Sequence, residues 1–388
     1  MTDRPPRFHD LDALRATAMS LGILLHSIVQ FVPYRPFDGP SDDVLTTFVE
    51  WIHGFRLPLF FLLSGYFTAL LIVRRGLART MGQRVVRIGV PFAIAVLTVI
   101  PLLEWVATQV YTWIIREGRF RPIPGDAPED TGLAHLWFLW FLIIFIAVTG
   151  LVVLVARGVL RLFPKLAVLA RARTALIVIL AITPIVTEAT TPTDEFGPPT
   201  DNSWTPSVGI LTYYLAFYAI GALLYGRTSA DGEPAIYRFR RWWIALLVLG
   251  PAVFYPLAVM TTTVPVVSAT AQVGFAWAMT VGLIGAFRPL GTRPRFWVRF
   301  GSDASYWLYV IHLPVVFALQ GVFAFTDWPG AVEALLITVL TVASMGIVYA
   351  VAVRYTPLGW LLNGRRSLHD DLQALRPSAR RAIPADRG

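Results

Sequence analysis

The chain of 388 residues has no cysteine and little charge: 15% of it is Asp, Glu, Lys or Arg, against 56% apolar. Without cysteine there are no disulfides, no thiolate metal ligands and no cysteine-borne acyl intermediate. No polar segment before Trp360 is long enough to form a water-soluble domain, and no internal repeat is visible. The alternating ten-residue strands of a membrane barrel are missing as well. What is present instead is a series of apolar runs of about 20 residues, the length of a membrane-crossing helix. Lipid offers main-chain groups no hydrogen-bond partners, so such runs are read as helices. The expected fold is all-α, a polytopic transmembrane bundle of about ten helices.

The spans fall near residues 13–33, 47–73, 88–112, 134–155, 174–190, 207–226, 242–260, 267–287, 300–325 and 331–353, with TTTVPVV a poor break between the seventh and eighth. Pro58 is expected to kink the second span near Gly54, whose carbonyl loses its donor. Ser64 and Gly65 on the same span are small enough to admit another helix. The net charge of +9 is spread over alternate loops, which speaks against a nucleic-acid partner. Arg74, Arg75, Arg79, Arg84 and Arg87 follow the second span, and comparable groups follow the fourth, sixth and eighth. The intervening loops are nearly free of Lys and Arg, apart from Arg35 and the group Arg116, Arg119 and Arg121. By the positive-inside rule both termini are cytoplasmic and the protein is a multi-pass component of the cell membrane. The N-terminal segment has no small-residue cleavage site and is expected to be retained. The chain divides into a membrane domain, residues 8–357, and a basic cytoplasmic tail, residues 358–388. The loop REGRFRPIPGDAPEDTG is expected to be irregular, a candidate lid.

Ionisable side chains inside spans are costly and mark functional sites. The first span, LDALRATAMSLGILLHSIVQFVP, carries Arg15 and His26. Eleven residues separate them, which places the side chains within roughly 20° of one face and about 16 Å apart along the axis. An Asp12–Arg15 pair at i, i+3 is the structural alternative. On the second span His53 and Arg56 share a face, and on the ninth Tyr306, Tyr309 and His312 follow one another at steps of three. Arg84 and Arg87 stand together at the start of the third span, where they can dock an anion or simply meet lipid phosphates. His135 is placed at the outer surface beside Trp137 and Trp140, residues typical of the membrane interface. Counted from the span ends, His26, His53 with Arg56, and His312 share the outer half of the bilayer, with Glu104 and Glu188 near that depth. Imidazole takes protons near neutrality, so a general base among these histidines is expected. With cations nearer the cytoplasm, the layout fits a donor that has phosphates at one end and a reactive carbonyl on a long arm, meeting an acceptor from outside.

The Arg15–His26 spacing, the RxxR of Arg84 and Arg87, the ten spans and the blocks FRLPLFFLLSGYF, HLWFLWFL and SYWLYVIHLPVV together resemble the integral-membrane acyltransferase family 3, closest to a branch acting on glucans. The resemblance runs from Phe8 to Pro357. It implies transfer of a small acyl group, succinyl or acetyl, from acyl-coenzyme A to a hydroxyl of an extracytoplasmic glucan or other carbohydrate. In that scheme His26 is the catalytic base and Arg15 stabilises the donor or orients the site. Arg84 and Arg87 hold the donor's phosphates, and His53, Arg56, His312 and Glu104 serve the substrate. Acyl-coenzyme A is a co-substrate, with no cofactor bound permanently and no metal. The lipid bilayer is the remaining partner, and the oligomeric state is not identified. A proton-coupled transporter or glycan exporter using the same buried groups is the alternative; it predicts inverted repeats, and the sequence has none.

Overall fold

A computed structural model describes residues 8–29, 43–118, 132–165, 173–191, 196–198, 200–292 and 296–364. Arg35, most of the proposed lid and the tail beyond Gly364 lie outside the described residues. Among those described, helices account for almost all regular structure, and the single β-bridge joins Thr228 to Pro234. Ten long helical segments follow in order: α1 (His9–Ile28), α2 (Asp43–Arg75), α3 (Leu77–Arg116), α4 (Ala134–Leu162), α5 (Arg173–Thr190), α6 (Val208–Leu224), α7 (Ala235–Met260), α8 (Pro265–Leu290), α9 (Phe296–Phe323) and α10 (Gly330–Val353). Eight of these are long and apolar enough to cross a membrane. The other two are α6, which is 17 residues long, and α1, which opens with Asp10, Asp12 and Arg15.

Composition decides which helices are central. In α2, 61% of the apolar window is buried, and in α7 only 11%, so α2 is core and α7 faces lipid. α2 packs against α6, α1 and α8, while α1 also meets α9 and α10, and α3 lies along α9. The approach of α2 to α6 is close because each places a glycine against the other's backbone. A Cβ at Gly65 would overlap the Tyr218 carbonyl, and one at Gly221 would overlap that of Leu62. The expected contact at Gly65 therefore forms, with a second glycine answering it.

Proline shapes the helices without ending them. Helix α2 runs through Pro58 unbroken. In α3 a π-turn spans Val85–Gly89, immediately before Pro91, which has no N–H for the Arg87 carbonyl. The weak break between the seventh and eighth spans is a turn in which the Val264 N–H bonds the Thr261 carbonyl, and Pro265 then opens α8.

The arginine-rich ends of α2, α4, α6 and α8 define one face, called here the basic end. Two networks tie it together. The Tyr237 hydroxyl donates to buried Asp10 at 2.6 Å, and Arg288 reaches both Asp10 (3.7 Å) and Glu233 (2.9 Å), joining α1 to α7 and α8. At the other, buried Arg354 pairs with Asp303 (3.5 Å), and Asn363 donates to the Asp303 carbonyl at 2.7 Å. Asn363 closes a short helix, α11 (Pro357–Asn363), which packs on the π-turn. The segment just past residue 357 thus packs on the bundle.

Replacing Gly221 by Leu should separate α2 from α6, because overpacking against a backbone cannot relax by rotamer change. We expect a lower thermal midpoint of the detergent-solubilised protein in a size-exclusion melting assay, with Gly82→Leu, at an open position, as the neutral control.

Candidate active site

His26 sits in the last turn of α1, where carbonyls lack helical partners. Buried Gln320 of α9 supplies one, its Nε2 donating to the His26 carbonyl at 2.8 Å. One turn earlier, Gly22 leaves room for Arg56 of α2, whose Nη1 occupies the place a Cβ would take. One turn before Arg56, His53 donates from Nε2 to the Pro198 carbonyl at 2.8 Å. The segment around Pro198 is held in turn by Gln272, which accepts from the Gly197 N–H at 2.7 Å.

Helix α9 contributes the rest. Pro314 has no N–H to give the carbonyl of Val310, four residues back. That orphaned oxygen accepts from His135 Nε2 at 2.9 Å. His135 is therefore buried, with 7% exposure, and is not the surface residue the sequence reading placed among interfacial tryptophans. The Tyr309 hydroxyl donates to the His135 carbonyl, and the ring of His312 lies 5.0 Å from that of His135 and 5.2 Å from that of His26.

These side chains line one cavity of about 570 Å³. His26, His53, His135, His312, Arg56 and Tyr309 are its polar wall, and Trp137, Phe138, Phe60 and Phe196 are its aromatic wall. Thr46, Glu50 and Thr200 line it toward the end opposite the basic one, and Ala18 and Met19 toward the basic end. Among the described residues no carboxylate forms an ion pair with Arg56, and the neutral phenols of Tyr309 and Tyr214 lie near it. Such a cation in a cavity favours any ligand that brings or develops negative charge. No group of three described His, Asp or Glu side chains is placed to hold a metal ion.

A second polar cluster lies at the basic end. Arg84 donates to Thr68 of α2 at 3.1 Å, and Arg15, Arg87, Tyr218 and Tyr306 are within electrostatic range of it. Arg87 packs against Gly364, just beyond α11. Neither Arg84 nor Arg87 is fully exposed, as a cation meant only for lipid phosphate would be.

A profile of the acyltransferase domain of family 3 matches residues 8–353. The chain belongs to this acyltransferase family. Among its curated relatives, the glucans biosynthesis protein C of Salmonella gallinarum is 31% identical over 168 residues, 41% of each chain. The protein of the same name from Salmonella paratyphi B is 32% identical over 152 residues, 37% of this chain and 38% of its own. The match thus spans about two fifths of the length of these relatives. No solved structure matches.

Within this acyltransferase fold, four of the expected site residues converge: His26, His53, Arg56 and His312 share the cavity. Arg84 and Arg87 stand apart from it, at the basic end. Arg15 does not join His26: its side chain is 44% exposed, 4.0 Å from Asp12 and stacked near Phe67, so it lies with Arg84 and lines no part of the cavity. Glu104 does not line the cavity. Ile100, Leu103, Val110 and Ile114 form the buried stripe of α3, and Glu104 falls about 100° away from Leu103, on the outward face with exposed Leu102 and Trp105. Glu188 is buried between α5 and α6, beside Tyr213 and Tyr214, and does not line the cavity either. His135, Tyr309 and Gly22 were not marked as site residues; the signal for His135 was Pro314, which strands a carbonyl at the depth of a histidine.

Gly22→Ala should displace Arg56 and lower the thermal midpoint, yet be nearly silent in an Arg56→Ala background. A double-mutant cycle on melting should therefore show non-additivity of about 0.5–3 kcal/mol, the usual range for touching residues.

Proposed function

We propose that the chain transfers a small acyl group, succinyl or acetyl, from acyl-coenzyme A to a hydroxyl of a carbohydrate on the far side of the membrane, a glucan being favoured by the names of the relatives. The observation that carries this reading is the shared cavity of His26, His312 and an Arg56 that has no described acidic partner, inside a chain of an acyltransferase family. The basic end faces the cytoplasm in this reading, with both termini there, and Arg15, Arg84 and Arg87 take the phosphates of the donor. The wall between this cluster and the cavity is thin: Arg15 to Ala18 on α1 and Tyr306 to Tyr309 on α9 are each three residues, about 4.5 Å of rise. An extended thiol arm anchored by its phosphates at the arginines crosses that wall to bring its thioester to the imidazole.

In the cavity a sugar hydroxyl gives its proton to His26 as its oxygen attacks the thioester carbonyl. The Arg56 guanidinium stabilises the oxyanion that forms. On collapse the carbon–sulfur bond breaks, and the departing thiolate takes the proton from the His26 imidazolium. The aromatic wall suits the apolar faces of a sugar ring. Holding both reactants in one cavity supplies the proximity that bimolecular attack in water lacks.

His26→Ala should abolish acyl transfer by the purified protein while leaving its elution profile and melting unchanged; retained turnover would remove the base assignment. Charge reversal at Arg87 should raise the KM for acyl-coenzyme A with little change in kcat, measured with a thiol-release assay, since the residue is placed to bind the phosphates and not the reacting carbon. Mass spectrometry of surface glycans with and without the gene should show one acyl mass difference.

A further inference from the structure

Resting on that reading of the cavity, we propose that His312 is the positioning partner of His26: it accepts the His26 ring N–H and holds the base in the one tautomer whose bare nitrogen meets the acceptor hydroxyl.

The hydrogen bonds of α9 carry this. His312 Nδ1 lies 2.8 Å from the Tyr309 carbonyl, and a carbonyl only accepts, so Nδ1 bears the hydrogen. A neutral imidazole has one such hydrogen, and Nε2 is therefore a bare acceptor. It is buried, on a side chain 3% exposed, and has no hydrogen-bond partner. A buried acceptor left unsatisfied costs free energy and calls for a donor.

Few donors surround it. His135 cannot serve, because its Nε2–H is committed to Val310 and its own Nδ1 is a second bare acceptor without a partner. The Tyr309 hydroxyl is committed to the His135 carbonyl. Arg56 sets its Nη1 against Gly22 of α1, and its unpartnered Nε–H is the one rival donor. The ring in contact is that of His26, 5.2 Å from that of His312 at an interplanar angle of 43°. No hydrogen bond joins the two rings in this arrangement, but at that centroid separation facing ring nitrogens are within hydrogen-bond reach, so rotation of the His26 ring makes the bond. Because Gln320 pins the His26 main chain, the ring is the part free to turn.

The result is a one-way series: the Tyr309 carbonyl accepts from His312 Nδ1–H, and His312 Nε2 accepts from the His26 N–H, leaving the other His26 nitrogen as the base. This is the general logic of a base oriented by a third group, with an imidazole in the place often taken by a carboxylate. When His26 takes the proton of the hydroxyl, the resulting imidazolium donates more strongly to His312, and that proton later leaves with the thiolate. His312 itself neither gains nor loses a proton.

The test is nitrogen NMR of the detergent-solubilised protein with ¹⁵N-labelled histidine, the His26 signals being assigned with His26→Gln. In the unsubstituted protein the expectation is a single neutral His26 tautomer and a ¹⁵N–¹⁵N coupling across the bond to His312. In His312→Leu, both tautomers should appear and kcat should fall at least roughly tenfold, with KM for donor and acceptor unchanged. In His312→Gln, whose Oε1 accepts the same N–H, the single tautomer and most of kcat should return. Absence of the coupling, an unaltered His26 signal in His312→Leu, or a change confined to KM would each overturn the proposal. Because the tautomer is read without turnover, a chain that transfers no acyl group would defeat the functional reading and leave this result to stand by itself.

Discussion

Within a bilayer no water is at hand to take the N–H of an imidazole, and in this bundle main-chain carbonyls take it. His53 gives its hydrogen to Pro198, His135 to Val310 and His312 to Tyr309. Each bond satisfies one nitrogen and thereby fixes the other as a bare acceptor, so structural satisfaction and chemical readiness arise from the same contact. The carbonyl for His135 exists because Pro314 interrupts the hydrogen-bond ladder of α9 at the level of the cavity. The helix defect that lipid would penalise is thus repaired by a side chain from another helix.

The guanidinium of Arg56 is the other half of the arrangement. It reaches the cavity because α2 is the most buried of the candidate spans and because Gly22 on α1 yields the volume for it. No described carboxylate forms an ion pair with it, so its field is left for a ligand. The arginines of the basic end form a separate cluster one helical turn away. Two polar clusters separated by so thin a wall suit the proposed reaction, in which donor and acceptor come from opposite aqueous phases.

Much of this was readable in the residues. The ten long helical segments follow from apolar run length, with boundaries shifted by up to eleven residues, at the start of α3, since the demand for main-chain satisfaction leaves no other structure for such runs. The common depth of His26, His53, Arg56 and His312 was also visible, because rise per residue converts position along a span into depth. Two of the expected site residues lie outside the cavity for one reason: depth does not fix direction. Glu104 has the right depth and the wrong face of α3, and Arg15, although aligned with His26 along α1, ends beside Asp12 and Arg84 and not in the cavity. His135 failed in the opposite sense, because HLWFLWFL reads as an interfacial belt until the Val310 carbonyl draws the ring inward.

The sequence by itself determined the membrane-spanning class, the order of the long helices, the gathering of basic residues at one end and of four of the six histidines away from it, and the family. These are properties of single segments, and periodicity and hydropathy express them directly. Only the tertiary structure decided which face of each helix looks inward, which nitrogen of each histidine is bare, and that Arg15 and His26 serve different compartments. Those depend on contacts between residues as distant in the chain as Gln320 and His26, and no local pattern encodes the rotation of one helix against another.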